Sequence, residues 1–216
     1  MFLAAGTTVG FASSASAADA IYWGANNNPT YTIAKANIDG TGLNTSFFNV
    51  GSLIGGLGYN GSSIFWAGPN GVYKANIDGT GSSTQLYTGP VSPGISIDSQ
   101  YFYVGGITND IIRGTLDGSA TDAPFISLPS VGASYTAVNA THIYFAGAGG
   151  GGPYIGRANI DGTGINATFI TGLSSGVNGI AVDGSYIYWT YNSGSAIGRA
   201  NLDGTGVNQT FITGLT

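Results

Sequence analysis

The chain has 216 residues, of which 38 are Gly, none is Cys or Glu, and only 7% are charged, with a formal net charge of −5. No disulfide framework, thiol nucleophile or Cys-ligated metal can be built from it. Its whole basic complement is Lys35, Lys74, Arg113, Arg157 and Arg199, too sparse a set to hold a phosphate backbone, so nucleic acid is excluded as a partner.

Residues 1–20 are rich in Ala and Ser and contain an A-S-A triplet at Ala15–Ala17. Two readings compete: a secretory signal remnant cut near Ala17 or Ala18, or an innermost strand of a first blade carried by Val9–Ala12. No apolar run is long enough to span a membrane as a helix.

From Ile21 onward one pattern recurs five times. An apolar aromatic run precedes a strand-like segment that ends in Asp-Gly: I-Y-W at Ile21–Trp23 with I-A-K-A-N-I-D-G-T-G at Ile33–Gly42, then I-F-W at Ile64–Trp66 with V-Y-K-A-N-I-D-G-T-G at Val72–Gly81. Next come Y-F-Y at Tyr101–Tyr103 with I-I-R-G-T-L-D-G-S-A at Ile111–Ala120, and I-Y-F at Ile143–Phe145 with I-G-R-A-N-I-D-G-T-G at Ile155–Gly164. The last is I-Y-W at Ile187–Trp189 with I-G-R-A-N-L-D-G-T-G at Ile197–Gly206. The turn aspartates Asp39, Asp78, Asp117, Asp161 and Asp203 are separated by 39, 39, 44 and 42 residues. Such a period marks a propeller or a similar repeat array. The repeats run approximately 21–50, 51–90, 91–130, 131–174 and 175–216.

In the last copy, Gly179–Val182 reads as the innermost strand and Asp183-Gly184-Ser185 as its turn. Ile187–Thr190 is the β-branched, aromatic second strand, Ile197–Leu202 the third, and Asn208–Ile212 the outer fourth. Abundant Gly and Asn, with no i, i+3, i+4, i+7 apolar pattern, disfavour helix. The expected fold is therefore all-β, a β-propeller of about five four-stranded blades in a single domain over 21–216. The alternative is an incomplete six-bladed type with an open ring, whose bare edge would be a liability.

Within the repeat, Asp accepts hydrogen bonds from amides two residues on, and Gly takes the positive φ that the turn requires. One carboxylate per turn falls short of the oxygens calcium needs, so neither metal nor cofactor is expected. Trp23, Trp66 and Trp189, the five cations and the five turn aspartates are read as structural. Small residues such as Gly198 and Ala200 would let an adjacent blade bring its aromatic strand close. Arg–Asp pairing would set register.

At these residues the chain resembles the YWTD, or low-density lipoprotein receptor class B, repeat, with Tyr188-Trp189-Thr190 and the segment Ile197–Gly204 matching its pattern most closely. The resemblance covers about 21–216 and implies a propeller acting in extracellular binding. The Cys-free, low-charge version looks most like arrays in bacterial secreted proteins, which implies a secreted or cell-surface location. The motif's fourth letter is never Asp here, and His142 is the chain's single histidine.

The resemblance and the composition lead to the expectation of a non-catalytic binding propeller. Its ligand, a glycan or a protein, would sit on the variable loops between second and third strands. The candidate contacts are Asn27, Asn28, Tyr31, Asn70, Asn109, Asp110, Tyr154, Tyr191 and Asn192, neutral amides, hydroxyls and rings suited to sugar hydroxyls. One alternative is a structural module that self-associates if the ring is open; another is a propeller enzyme such as a lyase or hydrolase. Catalysis has few groups to draw on: Asp110 and Asp122 are the acids least explained by the repeat.

Overall fold

The computed structural model describes residues 7–10, 20–27, 30–128, 132–192, 194 and 196–215. Among them are twenty strands and no helix, in five four-stranded antiparallel sheets that are the blades of a β-propeller. Blade 1 comprises β1 (Thr7–Gly10), β2 (Ala20–Asn27), β3 (Thr30–Asn37) and β4 (Asn44–Asn49). Blade 2 comprises β5 (Leu57–Tyr59), β6 (Ser63–Gly68), β7 (Gly71–Asn76) and β8 (Thr84–Thr88). Blade 3 holds β9 (Val91–Ile97), β10 (Tyr101–Gly106), β11 (Asp110–Thr115) and β12 (Thr121–Ser127). Blade 4 holds β13 (Tyr135–Val138), β14 (His142–Gly149), β15 (Gly152–Asn159) and β16 (Asn166–Ile170). Blade 5 holds β17 (Val177–Val182), β18 (Tyr186–Tyr191), β19 (Ala196–Asn201) and β20 (Asn208–Thr213).

Strand order within every sheet follows the chain. The residues divide into two compact units, 1–102 with 114–121 and 103–113 with 122–216. Thr7–Gly10 pairs with β2, placing Val9 opposite Trp23. Phe11, Ala12 and the Ala15–Ala17 triplet lie outside the described residues.

The packing of the small residues differs from the sequence expectation. A Cβ built on Gly198 would sit 2.1 Å from the Trp189 ring, and one on Gly156 would sit 2.2 Å from the Phe145 ring. In both cases the ring belongs to the directly opposed residue of the same sheet. The glycine therefore makes room for its own blade's aromatic, which lies flat across the strand. That aromatic then joins the layer between blades: Trp189 packs with Tyr144, Ile155 and Ile170 of blade 4.

Blade 3 keeps the same volume by a different exchange. The turn carboxamide or carboxylate that caps the second strand is Asn60, Asp98, Asn139 or Asp183, and it receives the backbone N–H of Ser63, Tyr101, His142 or Tyr186. Counting from that cap, Phe102 stands where the other blades have Ile64, Ile143 and Ile187, and Val104 stands where they have Trp66, Phe145 and Trp189. The triplet Tyr101–Tyr103 is thus one residue out of step with its counterparts. Those isoleucines face Ala75, Ala158 and Ala200. Phe102, being larger, lies over Gly114, whose built Cβ would be 2.3 Å from its ring. Close-packed interiors leave no room for both a bigger ring and a methyl.

Candidate functional site

The Asp-Gly turns are the most repeated polar feature. In four of them the carboxylate accepts the hydroxyl and the backbone N–H of the Thr two residues on, at 2.6–2.9 Å, as Asp39 does from Thr41 and Asp203 from Thr205. In the third, Asp117 accepts from the Thr115 and Ser119 hydroxyls and the Ser119 N–H. The preceding amide closes the turn, with Asn201 donating to the Thr205 hydroxyl at 2.8 Å. The first Gly has φ between 78° and 87° in all five turns. These are self-contained turns whose carboxylates are already engaged.

Those hydrogen bonds carry a pH dependence. Hydroxyl bonds from Thr41, Thr80, Thr163 and Thr205, followed by the backbone N–H of the same residues, hold Asp39, Asp78, Asp161 and Asp203 below the usual carboxylate range. Asp117 is held lower still, by the Thr115 hydroxyl first and then by Ser119. A carboxyl with a depressed folded pKa contributes stability that is complete above its unfolded value, about 3.9, and is lost as pH falls through the folded one. The melting temperature is therefore expected to hold from neutral pH to about 5 and to drop steadily below about 4. Replacing Asp161 and Asp203 by Asn should flatten that drop in a thermal melt followed by circular dichroism; an unchanged acid limb would contradict the assignment.

Among the described residues, the remaining acids also have partners. Asp122 pairs with Arg113 at 2.5 Å, and Asp110 is buried and accepts the Thr108 hydroxyl at 3.0 Å. Burial would raise Asp183, but the N–H groups of Ser185 and Tyr186, the Tyr188 hydroxyl and the Arg199 charge hold it low. His142 is half-buried, its Nδ1 2.8 Å from the Thr141 hydroxyl. Among the described residues, no group of three or more His, Cys, Asp or Glu could hold a metal ion. Every N-x-S/T asparagine, Asn44, Asn60, Asn139, Asn166 and Asn208, uses its side-chain oxygen to accept the N–H two residues on.

Several of the loop residues expected to bind ligand are engaged by other parts of the chain rather than by one another. Tyr154 and Tyr191 are buried: the Tyr154 hydroxyl donates to the Gly132 carbonyl, and the Tyr191 hydroxyl donates to Gln209 at 3.1 Å. Burial pushes the Tyr154 hydroxyl up to about 12. Both rings are therefore packed inside the protein and not presented at its surface. Tyr31 is half-buried. Asn27, Asn70, Asn109 and Asn192 are exposed, and Asn109 sits at φ 61°, a turn conformation that Asn tolerates. Their backbones are tied down, the Asn70 carbonyl by Gln85 and the Asn109 carbonyl by Leu128. Asn28 and Ser193 lie outside the described residues. Asn26, a neighbour with no assigned role, grips Ile54 through both ends of its amide, at 2.9 and 3.0 Å.

The repeated cations do not work mainly through acids. Lys35 lies over Tyr22 and Phe47, Arg113 over Phe125, Arg157 over Phe169, and Arg199 over Tyr186 and Phe211. Lys74 and Arg157 also donate to the carbonyl just before the next blade's Asp-Gly turn, Leu116 and Leu202, each at 3.2 Å. The expected Arg–Asp register pairs are thus replaced, apart from Arg113–Asp122, by stacking and by bonds to the following blade.

These contacts define a joint that the chain makes four times. The outer-strand side chain of one blade packs on the turn glycine of the next: Phe47 on Gly79, Leu86 on Gly118, Phe125 on Gly162 and Phe169 on Gly204, at 2.9–3.2 Å from a built Cβ. The residue after each outer-strand Phe, namely Phe48, Ile126 or Ile170, is buried. A shift in pairing register between the third and fourth strands breaks simple alternation there and lets consecutive side chains serve the joint. The matching residues of β20, and those of the turn after β3, are each exposed. Phe211 and Ile212 of β20 are 36% and 43% exposed, whereas Ile170 is 3% exposed. On β3 and its turn, Ile38 is 68% exposed and nothing lies within 4 Å of a Cβ built on Gly40. Ile77, Leu116, Ile160 and Leu202, which match Ile38, are all partly buried. No feature of the local sequence distinguishes Ile38, Gly40, Phe211 or Ile212 from their covered counterparts.

No family model matches the chain, and no curated protein matches it. Among solved structures it is similar to a chain of a nidogen/laminin complex, with 18% identity, a TM-score of 0.64, and coverage of 88% of this chain and 74% of that one. It is similar to a gluconolactonase from Xanthomonas campestris, with 14% identity, a TM-score of 0.66, and coverage of 90% and 73%. It also resembles the computationally designed Ika8 protein at 11% identity and a TM-score of 0.59, covering 97% of this chain but 64% of the designed one. Likeness at such identities shows the β-propeller fold alone. It also corrects the functional expectation. A protein of this fold is a gluconolactonase, an enzyme, so the fold gives no support for a non-catalytic binding role.

Proposed function

We propose that the chain is a propeller of the YWTD kind that docks a protein against the exposed apolar residues of β20 and of the turn after β3. The carrying observation is the exposure of Phe211, Ile212 and Ile38 at positions that are partly or fully buried in the other blades. The chemistry that covers the matching residues in the other blades states what the partner must carry. For the β20 face it is a blade edge presenting an Asp-Gly turn with room for an aromatic ring. For the β3 face it is an outer strand presenting that ring. The nidogen/laminin neighbour comes from a protein complex, which agrees with a protein partner.

The reading is tested by placing p-benzoylphenylalanine at position 212 in the cells that produce the protein, irradiating, and sequencing the adducts. The expected adduct is to a peptide carrying an A-N-x-D-G turn, and it should vanish when Phe211 is also changed to Asp. Adducts confined to peptides without that turn, or no adduct above that of the same photoprobe at Asn70, would sink the reading.

A further inference from the structure

We infer that Asn60 is a modification site at which the protein converts its own asparagine to aspartate, with water as the co-reactant. The chain carries Asn-Gly at Asn60–Gly61, Asn70–Gly71 and Asn178–Gly179. In such a pair the following backbone nitrogen, with no side chain beside it, meets least hindrance in attacking the asparagine amide. The three pairs differ in what faces the amide oxygen. The Asn60 Oδ1 accepts the N–H of Ser63 at 3.0 Å, the N–H of Ser62 at 3.3 Å and the Ser62 hydroxyl at 3.2 Å. The Asn178 Oδ1 accepts the Tyr135 hydroxyl at 2.8 Å, and Asn70 receives Gln85 and Gly89 on its backbone carbonyl rather than on its side chain.

The matching turns show that this cradle suits an anion better than an amide. At the same position in blades 3 and 5, Asp98 and Asp183 receive the two equivalent backbone N–H groups at 2.7 Å, the shortening that an ionised acceptor brings. Attack on the Asn60 Cγ moves negative charge onto Oδ1, and donors already aimed at the oxygen where charge develops lower the barrier. The nucleophile is available as well. In the five outer Asp-Gly turns the glycine N–H is held on a carbonyl three residues back, at 2.9–3.1 Å, whereas that of Gly61 donates to no group among the described residues. Asn60 is exposed, so water reaches it. The Gly61 nitrogen bonds to Cγ, the bond from Cγ to the side-chain nitrogen breaks, and ammonia leaves with the Gly61 proton, closing a five-membered imide. Water then adds to Cγ, the bond to Gly61 opens, its N–H is restored, and the new carboxyl gives its proton to solvent. Because the cradle polarises Cγ and not the backbone carbonyl, the imide opens to aspartate rather than to an isoaspartyl linkage. The chain becomes one charge more negative than its −5. Asn139 is the internal control: its Oδ1 accepts the N–H groups of Thr141 and His142 and the Thr141 hydroxyl at 2.9–3.1 Å, but the residue after it is Ala140, whose methyl group hinders the attack.

The test holds the whole chain at mildly alkaline pH, folded in buffer and unfolded in guanidinium chloride, and follows each asparagine by peptide mass spectrometry with a fragmentation that separates aspartyl from isoaspartyl products. Asn60 should convert at least about tenfold faster in the folded protein than in the unfolded one, since a hydrogen bond to a charged oxygen is worth about a factor of ten. Its product should be aspartate, while Asn70, Asn139 and Asn178 lag behind it. Ser62→Ala, which removes one donor at an exposed position, should slow conversion at Asn60 about tenfold with no change in melting temperature. The Asn60→Asp chain should match the product and melt no lower than the wild type. A folded-state rate at Asn60 equal to or below the unfolded one, a mainly isoaspartyl product, or a lower melting temperature for Asn60→Asp overturns the inference. A Ser62→Ala chain that converts at the wild-type rate overturns the part given to the cradle, and equal conversion at Asn139 overturns the part given to Gly61.

Discussion

Replacing Trp189 by Ala should cost about 3–5 kcal/mol, the usual range for deleting a buried aromatic. In a chain of this size that corresponds to a fall of roughly 6–20 °C in melting temperature. Trp189 is fully buried, lies across Gly198 within its own sheet and packs on blade 4. The informative companion is Gly198→Ala. Alone, it puts a methyl 2.1 Å from a rigid ring with nowhere to retreat, and overpacking of that kind costs about 1–3 kcal/mol. Combined with Trp189→Ala, the clash is gone and the lost flexibility of the unfolded chain becomes the main effect, a gain of about 0.4–1 kcal/mol. The double-mutant cycle should therefore show strong coupling. Additive losses in urea denaturation would mean that the ring does not rest on the glycine.

Ile170→Asp should unfold the protein or leave it several kcal/mol less stable, whereas Ile212→Asp should stay within about 0.5 kcal/mol of the wild-type monomer. The two residues sit in the same T-F-I-T-G-L hexapeptide and make the same pairings, Ile155↔Ile170 and Ile197↔Ile212. They differ in what lies against them. A carboxylate at 170 is forced among Tyr144, Ile187 and Trp189, whereas one at 212 meets solvent. The comparison is best made by thermal and urea melts at low protein concentration, where association contributes least. Equal losses at the two sites would show that the β20 face is covered in the monomer, and the proposed docking surface would fall with it.

Much of the frame is legible in the letters. The strands of the last copy appear within a residue or two of where alternation and turn chemistry place them, and the Asp-Gly turns hold their carboxylates as the spacing implies. Those features depend on neighbours a few residues away, so local sequence contains their cause. The frame fails first in the third copy, where Phe102 and Val104 trade volume with Gly114 and displace the aromatic triplet by one residue. A motif match cannot see this, because the conserved quantity is the summed size of two side chains on facing strands. Tyr154 and Tyr191 fail for a related reason: loop position suggests a free ring, but the Gly132 carbonyl and Gln209 that hold them come from elsewhere in the chain.

The period, the strands, the turns and hence the propeller follow from the letters alone. Which copies of the same residues are surface depends on the assembled fold. T-F-I-T-G-L is a buried joint at Thr168–Leu173, and at Thr210–Leu215 its Phe and Ile are exposed. A hydrogen-bonded turn or a strand pairing is written into the residues that make it. Burial belongs to a side chain together with whatever packs on it, and identical letters cannot say whether that second surface is there.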